Sequence, residues 1–175
     1  MKTATQTNAN FAHVAKLIEG ISIAMLTTVE ADGMLASRPM TALEMDPSGA
    51  LWFFTDLRSA KVEQLHAANV SFTDEGHGTY VSLSGQGEID TDRSRIKQLW
   101  TPFAKPWFPD GPDSPNLALL KFTPDTADYW DAPNSKMIRT FGVIASIVAG
   151  KPLGLGEHGS VNGLSSAAAT AAGRP

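Results

Sequence analysis

The chain contains no cysteine among its 175 residues. Disulfide bridges and thiolate metal sites are therefore excluded. No run of about eighteen consecutive apolar residues occurs, and the N-terminal MKTATQTNAN has no apolar run behind its single lysine. We therefore predict no transmembrane helix, no signal peptide and a cytoplasmic location.

The chain also has little net charge, because its 14 basic and 18 acidic residues give a formal net charge of -4. A mildly acidic chain has little to attract a polyanion, which argues against nucleic acid as the main partner. The four histidines, His13, His66, His77 and His158, follow no metal-ligand spacing, so we predict no metal site. No G-x-S-x-G motif supports a serine hydrolase.

The composition is that of an ordinary soluble globular protein, with 42% hydrophobic and 18% charged residues. The length suits one domain with a substantial core. We predict that this domain spans residues 11–149. A flexible N-terminus of residues 1–10 would precede it, and an Ala/Gly/Ser-rich flexible tail of residues 150–175 would follow it.

The hydrophobic pattern predicts a mainly β fold with peripheral helices. Phe11, Val14, Leu17 and Ile18 recur at helical spacing and predict a first helix. This helix is expected to end near Gly20. Further helices are predicted from Ser59 to Ala68, from Asp92 as N-cap to Trp100, and from near Ser135. Six to seven short strands are expected, over residues 21–29, 36–43, 51–55, 70–73, 79–86, 117–122 and 127–131. This set fits a split β-barrel.

The stretch Met34–Lys61 organises the chain. It contains two strands joined by the turn sequence Asp46-Pro47-Ser48-Gly49, followed directly by a helix start. This order could bring Arg38, Thr55, Ser59 and Lys61 to one rim of a small barrel, where an arginine fork, a lysine and helix-start amides would suit a phosphate. The alternative is that Arg38 is a solvated strand-edge residue, Ser59 or Asp56 an ordinary N-cap, and Lys61 solvated.

The same stretch resembles a known family. The RPM strand, the hairpin, the WFFT strand and the S-x-K helix start are similar to those of the pyridoxamine 5′-phosphate oxidase-like, FMN-binding split-barrel proteins, in particular the general stress protein 26-like branch. The resemblance covers roughly residues 11–148. It continues through YVSLSG at 80–85, Asp92-Arg93, Leu99-Trp100, Trp107-Phe108-Pro109 and DYWD at 128–131.

The resemblance implies a homodimer with flavin sites in the cleft between subunits. It implies that the phosphate of FMN, or of FAD, is held by Arg38, Ser59 and Lys61. The other implied flavin contacts are Pro39, Met40, Thr41, Phe54, Thr55, Tyr80 and Trp130. No residue is assigned a catalytic role, because flavin supplies its own redox chemistry.

The resemblance predicts an FMN-binding general stress protein, acting as a flavin-dependent oxidoreductase or as a flavin carrier of unknown substrate. A first alternative is pyridoxamine 5′-phosphate oxidase. Its substrate-binding R-x-H-x-R segment falls here on Lys136, Ile138 and Thr140, which argues against vitamin B6 oxidation. A second alternative is a non-catalytic protein that binds flavin or haem, and haem would require His66 or His77 at a pocket.

The sequence leaves two possible roles open for each of three aromatic residues. Trp130 either reaches the flavin or is a core or interface aromatic. Trp107 and Phe108 either cover the flavin ring or anchor the proline-rich loop of residues 101–115.

Overall fold

The computed structural model describes residues 1–59, 64–131 and 157–162. Within these ranges the chain forms two α-helices, α1 (Ala9–Ile18) and α2 (Arg93–Leu99). Neither helix is long and apolar enough to cross a membrane. The strands in the same ranges are β1 (Lys2–Thr3), β2 (Ile23–Val29), β3 (Leu35–Met45), β4 (Leu51–Asp56), β5 (Ala68–Asp74), β6 (Thr79–Asp90), β7 (Leu117–Asp131) and β8 (Glu157–Asn162).

Six of these strands close into a barrel. They are hydrogen-bonded in the order β3-β2-β5-β6-β7-β4, and β4 pairs back with β3. Every pairing around the barrel is antiparallel. The strand β1 adds to β3 in parallel, and β8 adds to β7 in antiparallel fashion. The predicted mainly β split barrel with peripheral helices is therefore confirmed.

The core follows from the alternation of side chains along the strands. One cluster fills the barrel and includes the fully buried Leu26, Phe53 and Phe122, while α1 packs on it through Val14 and Ile18. Full burial of each such side chain contributes about 1.5–3 kcal/mol. A second cluster forms where α2 covers the outside of β4 and β7, and its buried members are Trp52, Ile96, Leu99, Leu117 and Leu119.

Local signals in the sequence predicted the turns and caps well. The Asp92 carboxylate accepts a hydrogen bond of 2.8 Å from the backbone N–H of Ser94, which confirms it as the N-cap of α2. Asp46 accepts hydrogen bonds from the backbone of Ser48 and Ala50 in the β3–β4 turn. Such short-range contacts depend on a few consecutive residues, so the sequence specifies them directly.

Two predicted elements differ from the structure. The strands expected over 117–122 and 127–131 form one continuous strand, β7, which pairs with β6 from Leu119 to Asp131. The helix expected from Ser59 to Ala68 is not helical over residues 64–67, and β5 begins at Ala68. Burial of Leu65 in the barrel and the 2.6 Å hydrogen bond from Gly87 N to the Leu65 carbonyl fix this segment instead. Residues 60–63 and the helix expected near Ser135 lie outside the described residues.

Both ends predicted to be flexible contribute strands. Within the N-terminal segment of residues 1–10, Lys2 and Thr3 form β1, which pairs with Glu44 and Met45 of β3. Within residues 150–175, β8 pairs with the second half of β7. Gly159 permits this pairing, because a Cβ there would lie 2.3 Å from the Tyr129 hydroxyl oxygen. The Ala/Gly/Ser-rich composition gave no signal for β8, because this strand depends on pairing with β7, which is distant in the sequence.

Candidate functional site

The barrel opens between β3 and β4. The two strands pair at Met45–Leu51, Glu44–Trp52 and Ala42–Phe53, and no described pair precedes Ala42 on β3. The strand β3 nevertheless extends back to Leu35 on its β2 edge, and β4 continues to Asp56 on its β7 edge. Alternate residues of a strand direct their N–H and C=O groups to each edge, so part of the backbone of residues 35–41 faces this gap without a ladder partner.

Arg38 lies on the β3 side of this gap. Its Nη2 donates to Glu30 Oε1 at 2.7 Å, and both side chains are half-buried. Its Nη1 is buried and has no hydrogen-bond partner among the described residues. A buried N–H without a partner costs on the order of 1–3 kcal/mol, and more in a charged group, so this nitrogen is suited to an anionic oxygen. The ion pair with Glu30 shows that Arg38 is not a solvated strand-edge residue.

Thr55 lies on the β4 side and is 1% exposed. Its Oγ1 is buried and likewise finds no hydrogen-bond partner among the described residues. A hydroxyl donates one hydrogen bond and accepts others, so this oxygen can bind a further polar group. The gap is therefore bordered on each strand by a polar side chain with unused hydrogen-bonding capacity.

The remaining predicted residues of the hairpin have varied surroundings. On β3, Pro39 and Thr41 are exposed, whereas Met40 is buried in the barrel core. The Phe54 ring packs against Trp100 and Phe108, with ring centroids 5.7 and 6.2 Å away. This contact gives Phe108 an anchoring role and turns Phe54 towards the second core cluster.

Ser59 lies in the turn after β4, where its backbone N–H donates to the Asp56 carbonyl at 3.0 Å. Ser59, Asp56 and Arg58 line a small open cavity of about 400 Å³. Lys61 lies outside the described residues. Arg58 was not among the predicted site residues, although its position directly before Ser59 was the available signal. Its guanidinium donates to both carboxylate oxygens of Asp56, at 3.0 and 2.6 Å.

Tyr80 and Trp130 form a separate pair on the outer face of the barrel. They are directly opposed on β6 and β7 and are 45% and 46% exposed. The Trp130 ring lies 5.0 Å from the ring of His158 on β8. Trp130 is therefore a surface aromatic rather than a core residue.

This pair is distant from the gap along β7. Thr55 pairs with Ala118 near the start of β7, and Trp130 follows Ala118 by twelve residues. Twelve residues of extended strand have a contour of about 40 Å. One protomer therefore places Tyr80 and Trp130 at the opposite end of β7 from Thr55.

A wider groove of about 720 Å³ lies across β2, β5 and β6, lined in part by Thr27, His66, Asn69, Ser84 and Asp125. Its described lining contains no lysine or arginine. His66 thus lies at a groove, as the haem alternative requires.

His77 is exposed in the β5–β6 turn, where its Nδ1 lies 2.7 Å from Asp74 Oδ2. This hydrogen bond lowers the pKa of Asp74.

The donors at the gap fit the phosphate end of a flavin nucleotide. A phosphate presents anionic oxygens, for which an arginine N–H, hydroxyl groups and backbone N–H groups are the usual donors. The two carboxylates at the gap, Glu30 and Asp56, are each paired with an arginine. The described site therefore offers an anion hydrogen-bond donors whose neighbouring carboxylates are already paired.

Comparison with known proteins identifies the family. A family model described as "Pyridoxamine 5′-phosphate oxidase like" matches residues 9–153. The Neurospora crassa protein bli-3 is 29% identical over 141 residues, which cover 73% of this chain and 68% of that protein.

Solved structures agree with this match. A general stress FMN/FAD binding protein from Xanthomonas citri is 34% identical, covers 69% of this chain and 86% of its own, and has a TM-score of 0.58. A Clostridium acetobutylicum protein related to general stress protein 26 of Bacillus subtilis is 27% identical, covers 69% and 87%, and has a TM-score of 0.61. The chain belongs to the pyridoxamine 5′-phosphate oxidase-like family.

Proposed function

We propose that the protein binds FMN, with its phosphate at the gap between β3 and β4. The observation that carries this proposal is the pair of unpartnered polar atoms at the gap, Arg38 Nη1 and Thr55 Oγ1. Membership of a family that includes an FMN/FAD-binding general stress protein supports it. FAD, which carries the same phosphate, is the alternative form of the cofactor.

Each residue at the gap has a defined task in this proposal. Arg38 and Ser59, with Lys61, bind the phosphate, and the unpaired β3 edge at Pro39–Thr41 runs along the isoalloxazine ring. Thr55 donates its hydroxyl to the nucleotide, whereas Phe54, which the resemblance also implied as a flavin contact, packs on Trp100 and Phe108 instead. FMN would supply the electron-transfer chemistry when bound, so the chain needs no nucleophile of its own.

The proposed active form is a homodimer. Tyr80 and Trp130 lie too far along β7 to join the gap of their own subunit, so they would contact the flavin of the partner subunit. The outer surface of β2 and β3 carries exposed apolar side chains that a partner could bury, among them Ile23 at 54% and Leu35 at 71% exposure. Large exposed apolar side chains on one face of a sheet are typical of protein interfaces.

We further propose a general stress protein that acts as a flavin-dependent oxidoreductase or as a flavin carrier. The names of the relatives from Xanthomonas citri and Clostridium acetobutylicum support this assignment over pyridoxamine 5′-phosphate oxidase. The absence of the R-x-H-x-R pattern from the sequence at Lys136, Ile138 and Thr140 supports the same choice.

An absorbance spectrum of the purified protein, followed by titration with FMN, tests the proposal. Flavin bands or saturable FMN binding, without reduction by pyridoxamine 5′-phosphate, are the expected results. Reduction of the flavin by that compound would instead establish the oxidase. A Soret band would favour haem at the groove of His66, and the absence of any flavin binding would refute the proposal.

A further inference from the structure

We infer that Glu30 is a positioning residue for the phosphate site, acting through Arg38. This inference rests on the proposed function and adds a residue that does not itself contact the cofactor. The observation is a network of side chains at the end of β2, centred on the Glu30 carboxylate, that holds one nitrogen of Arg38 and leaves another without a partner.

Glu30 Oε1 accepts hydrogen bonds from two barrel residues. Arg38 Nη2 donates to it at 2.7 Å, and the hydroxyl of the buried Thr28 donates at 3.3 Å. The Arg38 guanidinium has a second terminal nitrogen, Nη1, which is buried without a partner. Because Glu30 occupies only Nη2, Arg38 can bind the carboxylate and a phosphate oxygen at the same time.

The second oxygen of Glu30 accepts a hydrogen bond from Gln64, in the segment before β5. With its amide oriented so that Oε1 accepts from Ala31 N at 3.1 Å, Gln64 donates from Nε2 to Glu30 Oε2 at 2.7 Å. Gln64 follows Lys61 by three residues in the sequence. Glu30 thus connects Arg38 of β3 with Gln64 in the segment before β5.

The energetic reason for such a residue is conformational entropy. A free arginine side chain loses rotamer entropy when a ligand fixes it. An arginine already held by an ion pair has lost this freedom before binding, which favours binding of the phosphate. The negative charge of Glu30 is compensated by the Arg38 guanidinium that it holds.

The test compares Glu30→Ala and Glu30→Gln with the wild type in titrations with FMN and with riboflavin, which lacks the phosphate. Glu30→Ala is expected to weaken FMN binding at least about tenfold and to leave riboflavin binding unchanged. Glu30→Gln retains an acceptor for Arg38 Nη2 and is expected to lose less. In an Arg38→Met background, Glu30→Ala should cause no further loss.

Glu44→Ala is the matched control, because Glu44 is also half-buried and paired with an arginine, Arg95, away from the gap. It is expected to bind FMN like the wild type. Thermal melting identifies any variant that fails to fold, and Glu30→Gln, the more conservative change, then carries the comparison. Equal losses for FMN and riboflavin would overturn the inference, because they indicate a merely structural role.

Tighter FMN binding by either Glu30 variant would also overturn the inference, since Glu30 would then compete with the phosphate. In both cases the wild type still binds FMN, and the proposed function stands. A wild-type protein that binds no FMN would overturn the proposed function together with this inference.

Discussion

At the residue scale, Asp46 holds the β3–β4 turn through four hydrogen bonds. Its Oδ1 accepts from Ser48 N, Ser48 Oγ and Ala50 N at 2.9, 2.6 and 3.1 Å, and its Oδ2 accepts from Trp52 Nε1 at 2.8 Å. Partial burial raises the pKa of Asp46, but these hydrogen bonds together outweigh burial and lower it below the usual 3.8. Because the pKa is lower in the folded state, the ionised carboxylate stabilises the fold above pH 3.8, and this contribution is lost as the pH falls.

We predict that Asp46→Ala lowers the free energy of unfolding by about 2 kcal/mol at pH 7, because four donors lose their acceptor. Urea denaturation measures this loss, which should shrink as the pH falls below 3.8. Asp32→Ala is the control, since the Asp32 carboxylate accepts a single exposed hydrogen bond, from Met34 N at 3.0 Å. Equal losses in the two variants, or a larger loss for Asp46→Ala in acid, would contradict the assignment.

Contacts between residues close together in the sequence could be predicted, whereas contacts that depend on strand register could not. The Asp46 turn and the Asp92 cap were predictable, because donor and acceptor lie within four residues of each other. The Glu30–Arg38 ion pair was not, because it requires the β2–β3 register, which brings the ends of two strands together. The motif predicted Arg38 as a site residue without indicating which residue holds its guanidinium.

At the element scale, Gly85 sets the register between β6 and β7. The pairing shifts between Ser84 and Gly85. A Cβ at Gly85 would lie 2.1 Å from the Thr123 carbonyl oxygen and 2.8 Å from Pro124 Cα, both of which are backbone atoms. The two strands therefore approach each other more closely here than any other residue would allow.

Gly85→Ala is expected to destabilise the fold by about 3 kcal/mol, because the backbone of β7 must move to admit the methyl group. Thermal or urea unfolding measures the change. Gly76→Ala is the control, since a Cβ there would lie 3.2 Å from a side-chain oxygen of Asp74 and within 4 Å of no other heavy atom of the described residues outside its chain neighbours. A Gly85→Ala protein as stable as Gly76→Ala would show that the close approach is not required.

The strands were predictable from sequence because their alternation is local, whereas their ends depend on partners. β7 continues through residues 123–126, which lacked a strand pattern, because β6 pairs with it there. β8 formed within a segment of flexible composition because the edge of β7 was available. The segment after Ser59 has a helical pattern, but Leu65 and Ala68 are drawn into the barrel.

At the scale of the whole molecule, the outer surface of β2 and β3 is the proposed dimer interface. Met25 lies opposite Pro39 and Val29 opposite Leu35, so their side chains share one face. Ile23, Met25, Val29 and Leu35 are all exposed. The same sheet continues through β5 to Tyr80 and Trp130, so one interface could bury both the apolar strip and the aromatic pair.

We predict that Met25→Glu combined with Leu35→Glu converts the proposed dimer into a monomer. The two introduced carboxylates would have to be buried in the interface without compensating positive or hydrogen-bonding groups. Light scattering coupled to gel filtration measures the mass, and FMN affinity should fall with the dimer. Phe103→Glu, in the loop after α2 and 86% exposed, is the control and should stay dimeric. A wild-type monomer that binds FMN fully would contradict the shared site.

The most direct test of the central claim is the affinity of the wild type and of Arg38→Met for FMN and for riboflavin. If the phosphate binds at the β3–β4 gap, Arg38→Met weakens FMN binding at least about tenfold and leaves riboflavin binding unchanged. Arg95→Met, which removes another half-buried, carboxylate-paired arginine, should bind both like the wild type. Unchanged FMN affinity in Arg38→Met would contradict the account.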